Sequence, residues 1–152
     1  MSLASARACF NKLEEALPSF APESLLNLSD AELRELGVSR QKARYMKLIA
    51  EALLDGSLPL DRLGRMDDES ARTQLTRITG IGNWTADVYL MSALRRPDLW
   101  PIGDLALVKA LVEIKELRAR PEREQLMSLG EAYRPFRSVA THLYWHHYLN
   151  PP

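Results

Sequence analysis

Residues 75–86, LTRITGIGNWTA, form the most informative stretch of this chain: one helical segment ends, two glycines flank an isoleucine, and another helix begins at once. Glycines permit backbone angles that a side chain would forbid, and they leave neighbouring peptide N–H groups unobstructed. The first N–H groups of the following helix have no partner within it and carry a partial positive charge. The segment is therefore suited to hold a phosphate without lysine or arginine, although two glycines alone more often indicate a plain tight turn. We expect Ile81 to anchor this turn in the core.

Outside this segment, apolar residues recur at helical spacing, and no stretch alternates convincingly like a strand. Ser29 and Glu32 form a capping-box pattern, Ser39 looks like a second N-cap, and Gly37 and Gly56 suit helix ends. We predict an all-α architecture of about eight to ten elements. The main predicted helices cover residues 2–17, 30–36, 40–54, 67–77, 83–93, 104–112, 121–132 and 135–148, with a short connector at 59–63.

The composition limits the classes of function. The chain has 152 residues, with 20 Lys+Arg against 20 Asp+Glu and no formal net charge. Its single cysteine, Cys9, excludes a disulfide framework, a thiolate zinc site and a cysteine-ligated iron–sulfur cluster. No apolar run reaches the roughly 18 residues of a membrane span, and no signal-peptide pattern is present, so we expect a cytoplasmic protein without a membrane partner. Zero net charge by itself argues against nucleic acid.

A second informative stretch, residues 96–107 (RPDLWPIGDLAL), follows the hairpin of residues 75–86. Pro101 and Gly103 form a bend that delivers Asp104 to the start of a helix. The local pattern alone favours an ordinary N-cap for Asp104. One carboxylate oxygen can cap the helix while the other faces a cleft, so a catalytic role stays open.

Three segments together resemble one family. Residues 75–86 are similar to the helix-hairpin-helix motif, and a Pro/Gly-rich loop with an aspartate follows them. This order resembles the helix-hairpin-helix DNA glycosylase superfamily (HhH-GPD), and residues 134–140, RPFRSVA, resemble its 3-methyladenine DNA glycosylase II branch. The resemblance runs from residue 2 to residue 148 and implies an all-α domain whose two helical subdomains flank an active-site cleft. The residues at the hairpin motif's positions are Leu75, Ile78, Gly80, Ile81, Gly82, Thr85 and Ala86.

The resemblance implies base excision repair of double-stranded DNA that contains damaged bases. The reaction is hydrolysis of the N-glycosidic bond of alkylated purines such as 3-methyladenine, after the base is flipped out of the duplex, and it leaves an abasic site. Asp104 is then the catalytic carboxylate, which stabilises the positive charge that develops on the sugar. Family members that also cut the strand carry a lysine where Trp84 stands, so the resemblance implies a monofunctional enzyme without lyase activity. We also expect a monomer.

Further residues follow from the resemblance. It implies backbone binding at Gly80, Ile81, Gly82, Trp84 and Thr85. The candidates for a base pocket are Trp84, Tyr144 and Trp145, for which a core or cleft-wall position is the alternative. The candidates for supporting contacts to phosphates are Arg40, Arg44, Lys47 and Arg137, for which a solvated face is the alternative. A sodium or potassium ion at the carbonyls of Thr76, Ile78 and Ile81 is common in the family, while no other cofactor and no iron–sulfur cluster is expected.

The expected organisation is one domain over residues 1–152. It contains the hairpin at 75–86, a catalytic loop at 97–105, and a C-terminal helix at 135–148 that packs against helix 2–17. Members of the family carry further helices before the segment that matches residues 1–7, so we expect those N-terminal helices to be lacking here. The alternative function is therefore a truncated, catalytically weak or inactive helix-hairpin-helix module that binds DNA. In either case a bacterial-type, nucleoid-associated location in the cytoplasm is expected.

Overall fold

The computed structural model describes residues 3–17 and 19–151, and every regular element within them is helical, which confirms the predicted class. The predicted helix start at Ser2 and its stop at Pro18 lie outside the described residues. No helix in the described ranges combines the length and the apolar character that a bilayer crossing requires. The helices are α1 Leu3–Ala16, α2 Pro22–Leu26, α3 Asp30–Glu35, α4 Arg40–Leu54, α5 Leu60–Leu63, α6 Asp68–Thr76, α7 Asn83–Ser92, α8 Leu105–Ile114, α9 Arg123–Glu131 and α10 Arg137–Leu149.

The predicted caps set the ends of α3 and α4. The backbone N–H of Ser29 donates to Glu32 Oε2 at 2.7 Å, and the N–H of Glu32 donates back to Ser29 Oγ at 3.2 Å, so the capping box is complete. Ser39 Oγ accepts the N–H of Lys42 at 3.4 Å and begins α4. Gly37 after α3 and Gly56 after α4 have φ values of 91° and 76°, which favour glycine.

The remaining boundaries differ from the sequence prediction at several helices. Residues 60–63, within the predicted connector, form the short helix α5. Helix α2 has five residues and buries none of them, so it leaves no apolar periodicity to detect. Helix α9 begins at Arg123 because Glu122 and Gln125 form a reciprocal capping box, and Pro121 therefore precedes the helix instead of standing in its first turn. Likewise, α10 begins at Arg137, two residues after Pro135.

The chain divides into two compact units. The first comprises the residues up to Arg65 together with Gln74–Ile81, and the second comprises Met66–Thr73 together with the residues from Gly82 onward. Each unit has its own apolar core, and burial of these side chains is the main source of its stability. The core of the first unit contains Leu13, Leu17, Leu33, Val38 and Ala43. The core of the second unit contains Trp100, Leu107, Val108, Ala110, Leu111, Leu126, Ala140 and Tyr144.

Candidate active site

Asp104 stands at the end of a tight turn and caps α8. Its backbone N–H donates to the carbonyl of Pro101 at 2.8 Å and closes the turn that contains Gly103. Its Oδ1 accepts the backbone N–H of Leu107 at 2.7 Å. The predicted bend and the predicted N-cap are therefore both present.

Two indole groups of the second unit converge on the Asp104 carboxylate. Trp84, in the first turn of α7, donates from Nε1 to Asp104 Oδ2 at 2.7 Å, and Trp145 on α10 donates from Nε1 to Oδ1 at 2.9 Å. Asp104 is only 7% exposed, and a buried carboxylate requires such donors to compensate for lost water. The sequence placed both tryptophans near a base pocket but did not predict that they hold Asp104.

The recorded hydrogen bonds leave one acceptor position of the Asp104 carboxylate without a donor. An ionised carboxylate offers about four acceptor positions, and the recorded donors are two on Oδ1 and one on Oδ2. Oδ2 therefore has room for one further donor, such as a water molecule. The three donors fix the orientation of the carboxylate.

The ring of Trp84 borders an open cavity. Trp84 is 49% exposed although its N–H donates to Asp104, and it lines the cavity. The cavity has a volume of about 330 Å³, which is within the range of small-molecule sites. Its lining residues are Arg72, Asn83, Trp84, Asp87, Trp100, Ile102, Gly103 and Arg123.

An ion pair in the wall of this cavity was not anticipated from the sequence. Arg72 Nε donates to Asp87 Oδ1 at 2.7 Å, and Arg72 also contacts Glu69 at 2.8 Å. Burial raises the pKa of the Asp87 carboxyl above its usual range, against the lowering effect of Arg72. Asp87 lies next to Ala86 among the buried residues of α7. A charged residue among such apolar neighbours is the sequence signal that could have indicated a buried ion pair.

The two glycines of the hairpin differ in what they contribute. Gly80 has a φ of 100°, as predicted for a residue that must be glycine, but Gly82 has a φ of −91°, which any residue adopts. An added Cβ on Gly82 would meet no protein atom within 4 Å. The expectation of forbidden backbone angles is therefore correct for Gly80 and wrong for Gly82, where the absence of a side chain leaves open space.

Gly82 is the N-cap of α7 and has no capping side chain. The first helical bond of α7 runs from the N–H of Ala86 to the carbonyl of Gly82 at 2.9 Å, so the N–H groups of residues 83–85 have no helical acceptor. Thr85 is exposed, while Ile81 is half-buried instead of fully enclosed in the core. The open helix start agrees with the sequence prediction, whereas the half-buried Ile81 does not, and anion binding at this helix start stays a prediction.

Tyr45 of α4 covers Gly80 within the first unit, a contact that the sequence did not predict. A Cβ built on Gly80 would lie 2.3 Å from Tyr45 Cγ, so the ring occupies the space where a side chain would stand. The hydroxyl of Tyr45 accepts a hydrogen bond from Gln41 Nε2 at 2.8 Å. Gly80 is therefore required both by its backbone angle and by the packing of Tyr45.

The four basic candidates fall into two groups. Arg40 and Arg44 are exposed on α4, and Lys47 binds Asp30 at 2.8 Å. Arg137 is committed within the second unit: its Nε and one terminal nitrogen donate to the carboxylate of Asp98 at 2.7 and 3.0 Å. These donors of Arg137 serve a structural carboxylate, and its contact with a DNA phosphate stays a prediction.

Tyr144 does not share the hydrogen-bond acceptor of Trp84 and Trp145, which both donate to Asp104. Its hydroxyl pairs with that of Tyr133 at 2.5 Å, and its ring packs edge-on against Trp100. Burial, followed by the bond to Tyr133, raises the pKa of the Tyr144 hydroxyl. Tyr144 lines a different, apolar groove together with Phe136, so the structure gives no support to its place in the base pocket.

The carbonyl groups predicted to hold a monovalent ion belong to the first unit. The carbonyl of Ile78 already accepts the N–H of Ile81 at 3.0 Å, and a carbonyl oxygen has a second lone pair available. The ion at Thr76, Ile78 and Ile81 stays a prediction. Within the described residues, no cluster of three or more histidine, cysteine or acidic side chains is arranged to hold a metal.

The sequence matches a known family over most of its length. Residues 1–135 match the family described as "HhH-GPD superfamily base excision DNA repair protein". The chain is 32% identical over 124 residues to YfjP of Bacillus subtilis, which is provisionally named a DNA-3-methyladenine glycosylase. The match covers 82% of this chain and 43% of YfjP, so the chain spans less than half the length of that relative.

The fold matches solved structures over nearly the whole chain. A 3-methyladenine DNA glycosylase of fission yeast, Mag1, solved in complex with abasic DNA, superposes with a TM-score of 0.92 at 28% identity. The match covers 99% of this chain and 75% of Mag1. An 8-oxoguanine glycosylase/lyase of Clostridium acetobutylicum, solved with double-stranded DNA, has a TM-score of 0.82 at 16% identity over 100% of this chain and 56% of its own, a likeness in fold alone.

Proposed function

The chain belongs to the HhH-GPD superfamily of base excision DNA repair proteins, and we propose that it is a DNA glycosylase domain that removes alkylated purines such as 3-methyladenine. The observation that carries this proposal is the Asp104 carboxylate, which is buried and oriented by three N–H donors. The names of YfjP and Mag1 support the choice of alkylated purines as substrates.

The proposed reaction is hydrolysis of the bond between the base and the deoxyribose. As that bond breaks, positive charge develops on the sugar, and a fixed carboxylate in a water-poor site stabilises it. The free acceptor position of Asp104 Oδ2 can orient the attacking water and take up its proton. Because the two indoles hold the carboxylate before the substrate arrives, little reorganisation is needed at the moment of reaction.

The proposed base-binding group is the exposed side of Trp84. An alkylated purine is electron-poor and attracts the π face of an indole. The cavity of about 330 Å³ beside Trp84 adds a second indole, that of Trp100, and the amide of Asn83. We therefore place the flipped base against Trp84 and keep Trp145 as a donor that orients Asp104.

The proposed grip on DNA uses peptide N–H groups. The N–H groups at the start of α7, which have no acceptor within the helix, and the open space at Gly82 suit a backbone phosphate of the duplex. That Mag1 was solved with abasic DNA supports this partner.

We also propose that the enzyme lacks lyase activity. Strand cleavage by this family needs an amine to form a Schiff base with the sugar, and the corresponding residue here is Trp84, whose N–H donates to Asp104. Among the contacts recorded for the described residues, Asp104 has no lysine partner.

The test measures release of methylated adenine from duplex DNA under single-turnover conditions by the wild-type chain and by Asp104→Asn. Asparagine keeps an oxygen that can cap α8 and accept the N–H of Trp145, but its NH2 replaces the acceptor of Trp84, so the fold of the variant is checked by its thermal unfolding midpoint. We expect its rate to fall by at least about 100-fold, the lower range for loss of a general base or charge stabiliser. Binding to DNA with an abasic analogue should be retained, and the wild-type product strand should break only after alkali treatment.

Asp67→Asn is the matched control, because Asp67 also caps a helix and accepts the N–H of Ser70 at 2.9 Å. Equal rates for wild type and Asp104→Asn would overturn the catalytic assignment. Binding without release by the wild-type chain would favour the alternative of an inactive DNA-binding module. A covalent adduct trapped with borohydride would contradict the absence of lyase activity.

A further inference from the structure

Helix α4 presents two arginines side by side on the unit that contains Gly80. Arg40 and Arg44 are one helical turn apart, both are exposed, and both line an open cavity of about 770 Å³. Like charges at this spacing on a helix repel each other. The pair therefore weakens the isolated helix, and a bound anion would turn this unfavourable arrangement into a favourable one.

The charges around the pair leave one end of the cavity positive. Lys47 and Asp30 neutralise each other through a 2.8 Å contact. The bond from Lys47 and, more weakly, the charge of Arg40 lower the pKa of Asp30. For Arg44 no acidic partner is recorded within the described part of the chain, and Glu51 lies about two turns farther along α4.

Tyr45 fixes this arginine pair relative to the hairpin turn. Its ring lies directly on Gly80, and Gln41, one turn earlier on α4, binds its hydroxyl. Residues 41–45 of α4 are consequently held against the turn by close packing. Arg44 immediately precedes Tyr45, so its backbone belongs to the segment that packs on the turn.

We propose that Arg40 and Arg44 bind phosphates of the DNA backbone, and that Tyr45 is the positioning residue that holds them in place beside Gly80. This inference rests on the proposed function. Guanidinium groups suit this task because their planar N–H donors match phosphate oxygens in pairs. Contacts of this kind strengthen binding to every sequence alike, since phosphates carry no base information.

The test measures binding of Arg40→Gln, Arg44→Gln and the double variant to a duplex with an abasic analogue, between about 50 and 200 mM salt. Each lost phosphate contact should make the slope of log K against log salt shallower by about 0.9, and the double variant should lose about 1.8. Damaged and undamaged duplexes should be affected equally. Arg120→Gln is the matched control, because Arg120 is exposed in the other unit.

Tyr45→Leu tests the positioning role separately. If Tyr45 holds Arg44 in place, this variant should show a shallower salt slope although both arginines remain. Tyr45→Phe keeps the ring on Gly80 and should restore the wild-type slope. A purely structural role would lower the midpoint of thermal unfolding of Tyr45→Leu and leave the slope unchanged, which would overturn the role assigned to Tyr45.

The outcomes separate this inference from the proposed function. Wild-type binding with slopes for the Arg40 and Arg44 variants equal to that of Arg120→Gln would overturn the inference alone. No measurable binding of DNA by the wild-type chain would overturn the proposed function and the inference together.

Discussion

Gly80 shows how one residue connects sequence, packing and the candidate site. Its φ of 100° is strained for any residue with a side chain, and the ring of Tyr45 fills the space where that side chain would stand. The glycine itself marks a turn in the sequence, but Tyr45 lies 35 positions earlier and gives no local signal. The backbone angle was therefore predictable, whereas the tyrosine that covers it was not.

Replacing Gly80 with alanine should destabilise the fold. A left-handed angle costs a residue with a side chain about 1–2 kcal/mol, and overpacking against Tyr45 adds about 1–3 kcal/mol. We expect the free energy of unfolding, measured with urea, to fall by at least about 2 kcal/mol. Gly64→Ala is the control, because an added Cβ there meets nothing within 4 Å. A Gly80→Ala chain as stable as Gly64→Ala would show that the ring of Tyr45 moves aside at little cost.

The residues around Asp104 mark the limit of sequence reasoning about the candidate site. Pro101, Gly103 and the N-cap position are local features, and they were recognised from neighbouring residues. Trp84 and Trp145 lie 20 and 41 positions away from Asp104. Aromatic residues on helices usually fill a core or line a cleft, so only the folded structure shows that their N–H groups bind Asp104.

The helices were predictable where a cap or an apolar stripe marks them. Ser29 and Ser39 begin α3 and α4, and an apolar face marks α8 and α10. Helix α2 escaped prediction because it is short and has no buried side chain to create a periodic pattern. A proline suits the first turn of a helix, so the sequence favours a start of α9 at Pro121, but the capping box of Glu122 and Gln125 begins the helix at Arg123.

At the level of the element, the start of α7 should be sensitive to any side chain at Gly82. The added methyl group of Gly82→Ala meets no protein atom, so the fold should be nearly unaffected, while the path of a bound phosphate would be obstructed. We expect weaker binding to abasic-analogue duplexes of several sequences, by the same factor for each, because backbone contacts are independent of sequence. Titrations by fluorescence anisotropy would check this, with Gly64→Ala as the control. A loss confined to some sequences would contradict backbone binding at this helix start.

For the whole molecule, the equal numbers of 20 basic and 20 acidic residues do not mean that all carboxylates have similar surroundings. Hydrogen bonds from Arg137 lower the pKa of Asp98, whereas burial raises the pKa of Asp87 despite its partner Arg72. Asp98 precedes the turn to Asp104, and Arg137 begins the helix that includes Trp145. The pair therefore supports two of the elements that form the candidate site within the second unit.

The stability of the molecule should depend on the Asp98–Arg137 pair in acid. The folded pKa of Asp98 lies below its unfolded value near 3.9, so its contribution is present above that pH and is lost as the pH falls through the folded pKa. We expect Asp98→Asn to be less stable than wild type at pH 6 and to lose less stability between pH 5 and the acid limit, as measured by urea unfolding. Asp61→Asn, at an exposed carboxylate of α5, should follow the wild-type curve. Parallel curves for wild type and Asp98→Asn would refute this assignment.

The tryptophans also give the molecule an intrinsic optical signal. All three tryptophans of the chain belong to the second unit, and each indole N–H has a defined acceptor. Trp84 and Trp145 donate to Asp104, while Trp100 donates to the carbonyl of Leu126 at 2.8 Å. Indole emission responds to hydrogen bonding and to stacked rings, so two of the three tryptophans report on the Asp104 carboxylate, and Trp100 reports on the wall of the cavity beside Trp84. Events at Asp104 can therefore be followed by fluorescence without a label.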